Sequence, residues 1–306
     1  MKSLGKVIRS VQAFSRELSR KQTPAGTWSV PSVGVALGGG FARGIAHIGI
    51  LKVLEEEGIP VRFIAGTSVG ALIGAAYCSG VSVEELEAMA RKVRFTTFAR
   101  WTLSRYGFAN TDRMTSFLTS ILKVKAFEEL RIPLGVTATD FNTGAGAVFR
   151  SGSLIDPVRA SCAYPGMFLP VNIDGHWLVD GMLSYPVPTV AVRGMGAQKV
   201  LGIHLKGQWS DGAPRHFFDV IGQSFAIAQD QMSDRWRAAA DLIVEPDVAG
   251  FDYDDFKRSA ELIQVGELAM RRALPAVRKW LEVPSAEPVV GKAHAAFPTP
   301  APMPAD

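Results

Sequence analysis

A serine at the apex of Gly66-Thr67-Ser68-Val69-Gly70 is well placed in this chain to act as a nucleophile. The short run Arg62-Phe63-Ile64-Ala65 leads into it, and Ala71-Leu72-Ile73-Gly74-Ala75-Ala76-Tyr77 leads away. That is the order of a strand, a sharp turn and a helix. A G-x-S-x-G turn strains the serine backbone, and the flanking glycines lack the Cβ atoms that would clash there. The hydroxyl is then exposed at a helix N-terminus, where the dipole favours developing negative charge.

Two further features could complete acyl-transfer chemistry. Gly38-Gly39-Gly40-Phe41-Ala42-Arg43-Gly44 follows an apolar run. Attack on an ester places charge on the carbonyl oxygen, and fixed backbone N–H groups around that oxygen lower the barrier. Gly38, Gly39 and Gly40 let the backbone come close. Arg43, beside Gly44 at the helix start, adds positive potential. The same glycines suit a pyrophosphate, but a dinucleotide site wants an acid at the end of the second strand, and Ile64-Ala65-Gly66 has none. The third feature is Asp180-Gly181, delivered by the short run Trp177-Leu178-Val179. Serine needs a base within hydrogen-bond reach, and a carboxylate in an apolar cleft has its pKa raised toward the useful range.

The five histidines compete with Asp180 for that role. His47 lies one helical turn from Arg43 and is expected to point into helix packing, while His294 falls in the tail. His176 precedes the Asp180 strand. His204 and His216 follow Asp180 in the chain order of an α/β-hydrolase, so a Ser-Asp-His triad is the alternative to a Ser68–Asp180 dyad. The only cysteines, Cys78 and Cys162, sit in apolar contexts, which argues against a disulfide framework and a zinc site. The expectation is chemistry with no metal and no cofactor.

Positioning these residues requires alternating strands and helices. The patterns predict strands at 33–37, 62–65, 134–139, near 147–149, at 177–179, 200–203 and 242–244. Helices are predicted over about 43–57, from the elbow to Tyr77, and from the Ser82 cap through Arg94. Further helices follow near 112–122, at 156–162 and 187–193, and over about 216–238 and 254–281. Short connections in this order imply a three-layer α/β/α fold with a mostly parallel central sheet. Each of the three chemical features sits where a strand stops, and parallel sheets bind ligands at the carboxyl ends of their strands. From Arg91 to Asn110 there is no acid, and basic residues alternate with Phe95, Phe98, Trp101, Tyr106 and Phe108. That stretch is expected to be a helix with a packed apolar side and a solvated basic side, though the pattern also suits a membrane interface or single-stranded nucleic acid.

The flanks read differently from this domain, which spans 31–283. Residues 1–30 place Leu4, Val7, Ile8, Val11, Phe14 and Leu18 at helical spacing with lysines and arginines opposite, a basic amphipathic helix ended at Pro24-Ala25-Gly26. Such a helix packs on the domain or lies on anionic lipid. Residues 284–306, rich in Pro and Ala, are expected to be a disordered tail. The N-terminal segment lacks a continuous apolar core, so the chain reads as cytoplasmic without a secretory signal. A net charge of +4 hints at an anionic partner. A peripheral membrane surface is the expected one, rather than nucleic acid.

Four ordered blocks carry a resemblance. Gly38-Gly39-Gly40-x-x-Arg43-Gly44, Gly66-Thr67-Ser68-Val69-Gly70, Ala160-Ser161-x-Ala163-x-Pro165-Gly166-x-Phe168-x-Pro170 and Asp180-Gly181 together resemble the patatin-like phospholipases, of the bacterial and neuropathy-target-esterase-like kind. The similarity runs from about Val33 into the 240s. It implies Ser68 as nucleophile, Asp180 as its partner, the glycine run with Arg43 as oxyanion loop, and hydrolysis of phospholipid, lysophospholipid or related esters without metal. The sequence departs at Met182, where the family carries a small residue after Asp-Gly. That departure bears on substrate fit, and it keeps open a lipid-binding regulatory protein with a weakened site.

Overall fold

The computed structural model describes residues 30–98, 100–104, 107–110, 112–206, 213–214 and 217–282. The first half runs β1 (Val33–Leu37), α1 (Ala46–Glu56), β2 (Val61–Thr67), α2 (Val69–Cys78), α3 (Val83–Lys92), α4 (Phe95–Phe98), β3 (Arg100–Ser104), β4 (Gly107–Asn110) and α5 (Asp112–Ile121). It continues with β5 (Leu134–Asp140), β6 (Gly146–Phe149), α6 (Ile155–Ser161), β7 (Val171–Ile173) and β8 (His176–Asp180). The last elements are α7 (Thr189–Gly194), β9 (Lys199–Ile203), α8 (Phe217–Gln231), α9 (Ser233–Ala238), β10 (Leu242–Val244) and α10 (Ser259–Leu281). The expected N-terminal helix, the Pro/Ala-rich tail, His216 and His294 lie outside the described residues.

β1 is apolar along its whole length because it is covered on every side. β2 and β9 pair with it in parallel, and all five of its residues are buried. The parallel run is β10, β9, β1, β2, β5. One face carries α1, α2, α3, α5 and α10 over a core that includes Leu37, Ile50, Leu51 and Ile64. The other carries α7 and α9, which bury Val192 and Trp236. Helix α3 begins as the sequence predicts: Ser82 and Glu85 exchange bonds in a capping box, acids fill the first turn and Arg91 and Lys92 the last.

Three expectations are corrected. Residues 91–110 are not one helix, because α3 ends at Lys92 and β3 and β4 form an antiparallel hairpin. Trp101, Thr102 and Gly107 are poor helix residues, and the aromatic and β-branched ones suit a strand. The stretch predicted helical over 216–238 is likewise broken, into α8 and α9.

The third is the route that brings Asp180 to the site. β8 is antiparallel to β5, and β7, which the sequence reading lacked, is antiparallel to β8. Asp180 therefore does not end a parallel strand. Residues 134–137 of β5 pair with β2, and residues 138–140 pair with β8. Ile64 N–H donates to Pro133 O and Phe141 N–H to Trp177 O, whereas Asp140 N–H donates to Ala145 O beside β6. Backbone groups alternate sides along a strand, so β2 and β8 lie end to end on one edge of β5 and β6 takes the other. Thr67 sits opposite Thr137, and Asp180 sits opposite Ala138. The carboxyl ends of β2 and β8 thus meet head to head.

Candidate active site

Ser68 occupies the turn between β2 and α2 with φ 54 and ψ −123. A residue other than glycine is strained there, and such strain clusters at functional sites. The surroundings hold it. Its N–H donates to Ser161 Oγ at 2.8 Å, and a side chain at Gly66 or Gly70 would collide with backbone at the elbow or at the end of β1. Thr67 Oγ1 bonds Thr137 Oγ1 and donates to Tyr185 O, both at 2.7 Å, which ties the end of β2 to β5 and to the segment after Asp180.

Ser68 Oγ donates to Asp180 Oδ2 at 2.8 Å. The other carboxylate oxygen accepts Met182 N–H at 2.9 Å, and Thr139 Oγ1 donates to the Asp180 carbonyl at 3.0 Å. Gly181, which opens the following turn, packs closely on Thr137. Asp180 is wholly buried, and that burial pushes its pKa up to about 7, against the opposing bonds from Met182 N–H and Ser68. Met182, the departure from the family pattern, thus supplies the amide that holds the carboxylate. Its thioether lies against Gly39.

The glycine loop is more constrained than its sequence suggests. Gly38 N–H donates to Ile203 O at 3.1 Å, Gly39 N–H to Pro186 O at 3.2 Å and Ala42 N–H to Tyr253 O at 3.0 Å. The expected oxyanion donors Gly38 and Gly39 are therefore engaged elsewhere. Gly40 N–H has no acceptor among the described residues. Gly44 lies in the short turn Phe41–Ile45 under the Val69 side chain. Arg43 is drawn toward Asp252 and Tyr164, and burial lowers its pKa.

Among the described residues no histidine is bonded to Ser68 or Asp180. His204 meets Glu245 at 2.9 Å beside the Trp236 ring, and His176 meets Asp140 at 3.0 Å. His47 is buried as expected, but it does more than pack: its Nε2 lies 2.8 Å from Gly38 O. Sequence reasoning gave no role to Tyr164 or Cys162. The Tyr164 phenol stands near both Asp180 and Arg43, and burial keeps it protonated. The Cys162 thiol is within hydrogen-bond reach of Ser68, and burial pushes its pKa up as well. Their position within the block at 160–170 was the available signal.

Ser68 opens onto an apolar cavity of about 110 Å3. Val69 and Leu72 of α2, Met89 of α3, Phe117 of α5, Phe168 and Phe256 form much of its wall. Its lining contains no charged side chain among the described residues. No cluster of three or more His, Cys, Asp or Glu among those residues is arranged to hold a metal. No helix among them is long and apolar enough to cross a membrane.

The chain is thus a three-layer α/β/α protein whose serine turn follows the second strand and is bonded to an aspartate from an antiparallel strand. The profile of the patatin-like phospholipase family matches residues 35–193, about half of the chain. This chain belongs to that family. An uncharacterized NTE family protein of Mycobacterium tuberculosis is 34% identical over 182 residues, covering 58% of this chain and 50% of the relative. The human patatin-like phospholipase domain-containing protein 6 is 36% identical over 190 residues, 58% of this chain and 14% of its own length. The chain spans half or less of the length of these curated relatives. VipD from Legionella pneumophila shares the fold, with a TM-score of 0.57 at 13% identity, over 84% of this chain and 69% of that one.

Proposed function

We propose that this chain is a serine acyl hydrolase that cleaves esters of phospholipids, lysophospholipids or related lipids through a Ser68–Asp180 dyad. The observation that carries the reading is the 2.8 Å Ser68–Asp180 bond at the polar end of an apolar cavity. Asp180 takes the Ser68 proton as Oγ attacks the ester carbonyl, and the charge that develops on the carbonyl oxygen faces the glycine loop. Gly40 N–H and Phe41 N–H, neither with an acceptor among the described residues, are the loop amides left to receive it, and Arg43 adds positive potential. Collapse returns the proton from Asp180 to the leaving alcohol and leaves the acyl group on Ser68. Water then repeats the cycle, giving the free acid and restoring the serine. Lysophospholipase NTE1 of Coccidioides immitis, 28% identical over 269 residues, is a relative named for this chemistry; the match covers 79% of this chain and 17% of that one. Peripheral contact with anionic lipid, through the basic stretches at 1–21 and 91–108, belongs to the same reading because the substrate resides in an assembly.

The cavity makes a quantitative test. Each methylene buried contributes about 0.8 kcal/mol, so kcat/KM for a series of nitrophenyl esters should rise up to about fourfold per added carbon until the cavity is full. Leu72→Trp should move that plateau to shorter chains while leaving hydrolysis of the shortest ester intact. A series flat in chain length would remove the cavity from the acyl-binding role.

The pH dependence follows from Asp180. A base must be unprotonated, so kcat/KM should rise with pH and level off above an apparent pKa near the value of about 7 that burial gives Asp180. A pH profile over 5–9 checks it. A flat profile would assign the base elsewhere.

A further inference from the structure

His47 is a wholly buried histidine in the first turn of α1, which packs along α10. Its Nε2 lies 2.8 Å from Gly38 O. A carbonyl only accepts, so Nε2 carries the proton, and Nδ1 is the bare nitrogen, without a partner among the described residues. Burial lowers its pKa to about 4, so the ring is neutral wherever Asp180 is ionised. It is not a base in this position. Its one polar action is to donate to the glycine loop.

The acceptor it chooses is mechanically important. The Gly38 carbonyl and the Gly39 N–H belong to one planar peptide unit and point opposite ways. That unit is held at its oxygen by His47 and at its nitrogen by Pro186 O at 3.2 Å. Gly70, in the first turn of the elbow helix, leaves no room for a side chain against the same Gly38 oxygen. Helix α1, the elbow and the segment following Asp180 therefore meet at one peptide plane. The next amide along the chain is Gly40 N–H, which has no acceptor among the described residues.

We propose that His47 is a positioning residue: by donating from Nε2 to Gly38 O it fixes the plane that aims Gly40 N–H at the oxyanion formed on Ser68. The inference rests on the acyl-hydrolase reading above. It differs from a packing role because a side chain of similar volume without an N–H would not replace it. It differs from a triad role because no proton moves through the ring.

The experiment compares His47→Ala, His47→Leu and His47→Gln with wild type and Ser68→Ala, using a nitrophenyl ester, a fluorophosphonate probe and hydrogen exchange of the peptide spanning 38–44. A misaimed oxyanion donor costs up to about 100-fold, so His47→Ala and His47→Leu should lose between about 10-fold and 100-fold in kcat with KM within about threefold. The rate of probe addition to Ser68 should fall in parallel, and the rise of activity near pH 7 should stay in place. Exchange at 38–44 should quicken in both variants. Glutamine can present an N–H close to the same point, so His47→Gln should recover most of the rate and the protection. If His47→Ala does not fold, the contrast of Leu with Gln carries the result. Full kcat in a folded His47→Leu, equal losses in Leu and Gln, or a displaced pH limb would each overturn the proposal. Ester hydrolysis that survives Ser68→Ala would instead overturn the acyl-hydrolase reading, while the exchange contrast would still report on His47.

Discussion

Asp180→Asn should lower kcat for ester hydrolysis at least about 100-fold, the low end of what a positioned base contributes. The substitution isolates the base because it preserves the geometry. An asparagine oxygen can still accept Met182 N–H, and its amide can still reach Ser68 Oγ, at the positions where the carboxylate oxygens make their 2.9 and 2.8 Å contacts. Only proton uptake is lost. Folding should improve at the same time. Asp180 has a folded-state pKa of about 7 against an ordinary carboxylate value of 3.8, so the folded chain holds the proton more tightly than the unfolded chain. Its contribution to stability is complete below the unfolded value and is lost as pH rises through about 7. Asparagine has no such loss. The melting temperature of Asp180→Asn minus that of wild type should therefore grow between pH 5 and pH 8. His204→Ala removes the contacts to Glu245 and to the Trp236 ring, neither of which touches Ser68 or Asp180, and should stay within about threefold of wild-type activity. An equal fall in a folded His204→Ala would favour the histidine triad.

Ser68→Ala should abolish turnover, a loss of at least about 1,000-fold for removal of a nucleophile. A fluorophosphonate probe should add once to wild type, at Ser68, and not to the variant. Labelling that persists would sink the assignment. Ser68→Gly provides the control for folding. At φ 54 a glycine is unstrained where serine is not, so Ser68→Gly should be as inactive as Ser68→Ala and melt higher. That ordering would show strain held at the site for a purpose other than stability.

Much of this was legible in the chain itself. β1, β2, the elbow, the Ser82 cap and the fully buried strands are local matters. They are settled by apolar runs, turn glycines and capping residues within a few positions of one another, and those signals survive in sequence. Ser68 and Asp180 stand out as candidates for the same reason, since each lies at the end of a short apolar run.

Their meeting was not decided locally. Ser68 and Asp180 are 112 residues apart, and the expectation that both end parallel strands on one sheet edge was wrong in its geometry. The contact depends on β8 running antiparallel along the same edge of β5 as β2, offset so that the two carboxyl ends abut. Strand direction and register are set by long-range pairing, which apolar pattern alone does not encode. The β3–β4 pair is not legible in sequence because its basic and aromatic residues fit a helical period as well as a strand's. The glycine loop shows the limit most directly. Its composition announces close backbone approach, but which amides are spent on Ile203 and Pro186, which are left open, and that His47 holds the Gly38 carbonyl are facts of hydrogen-bond direction. A glycine presents the same letter whichever way its N–H points. Residue types in the sequence specified the chemical groups, and only the packed fold decided which donors and acceptors had already found partners.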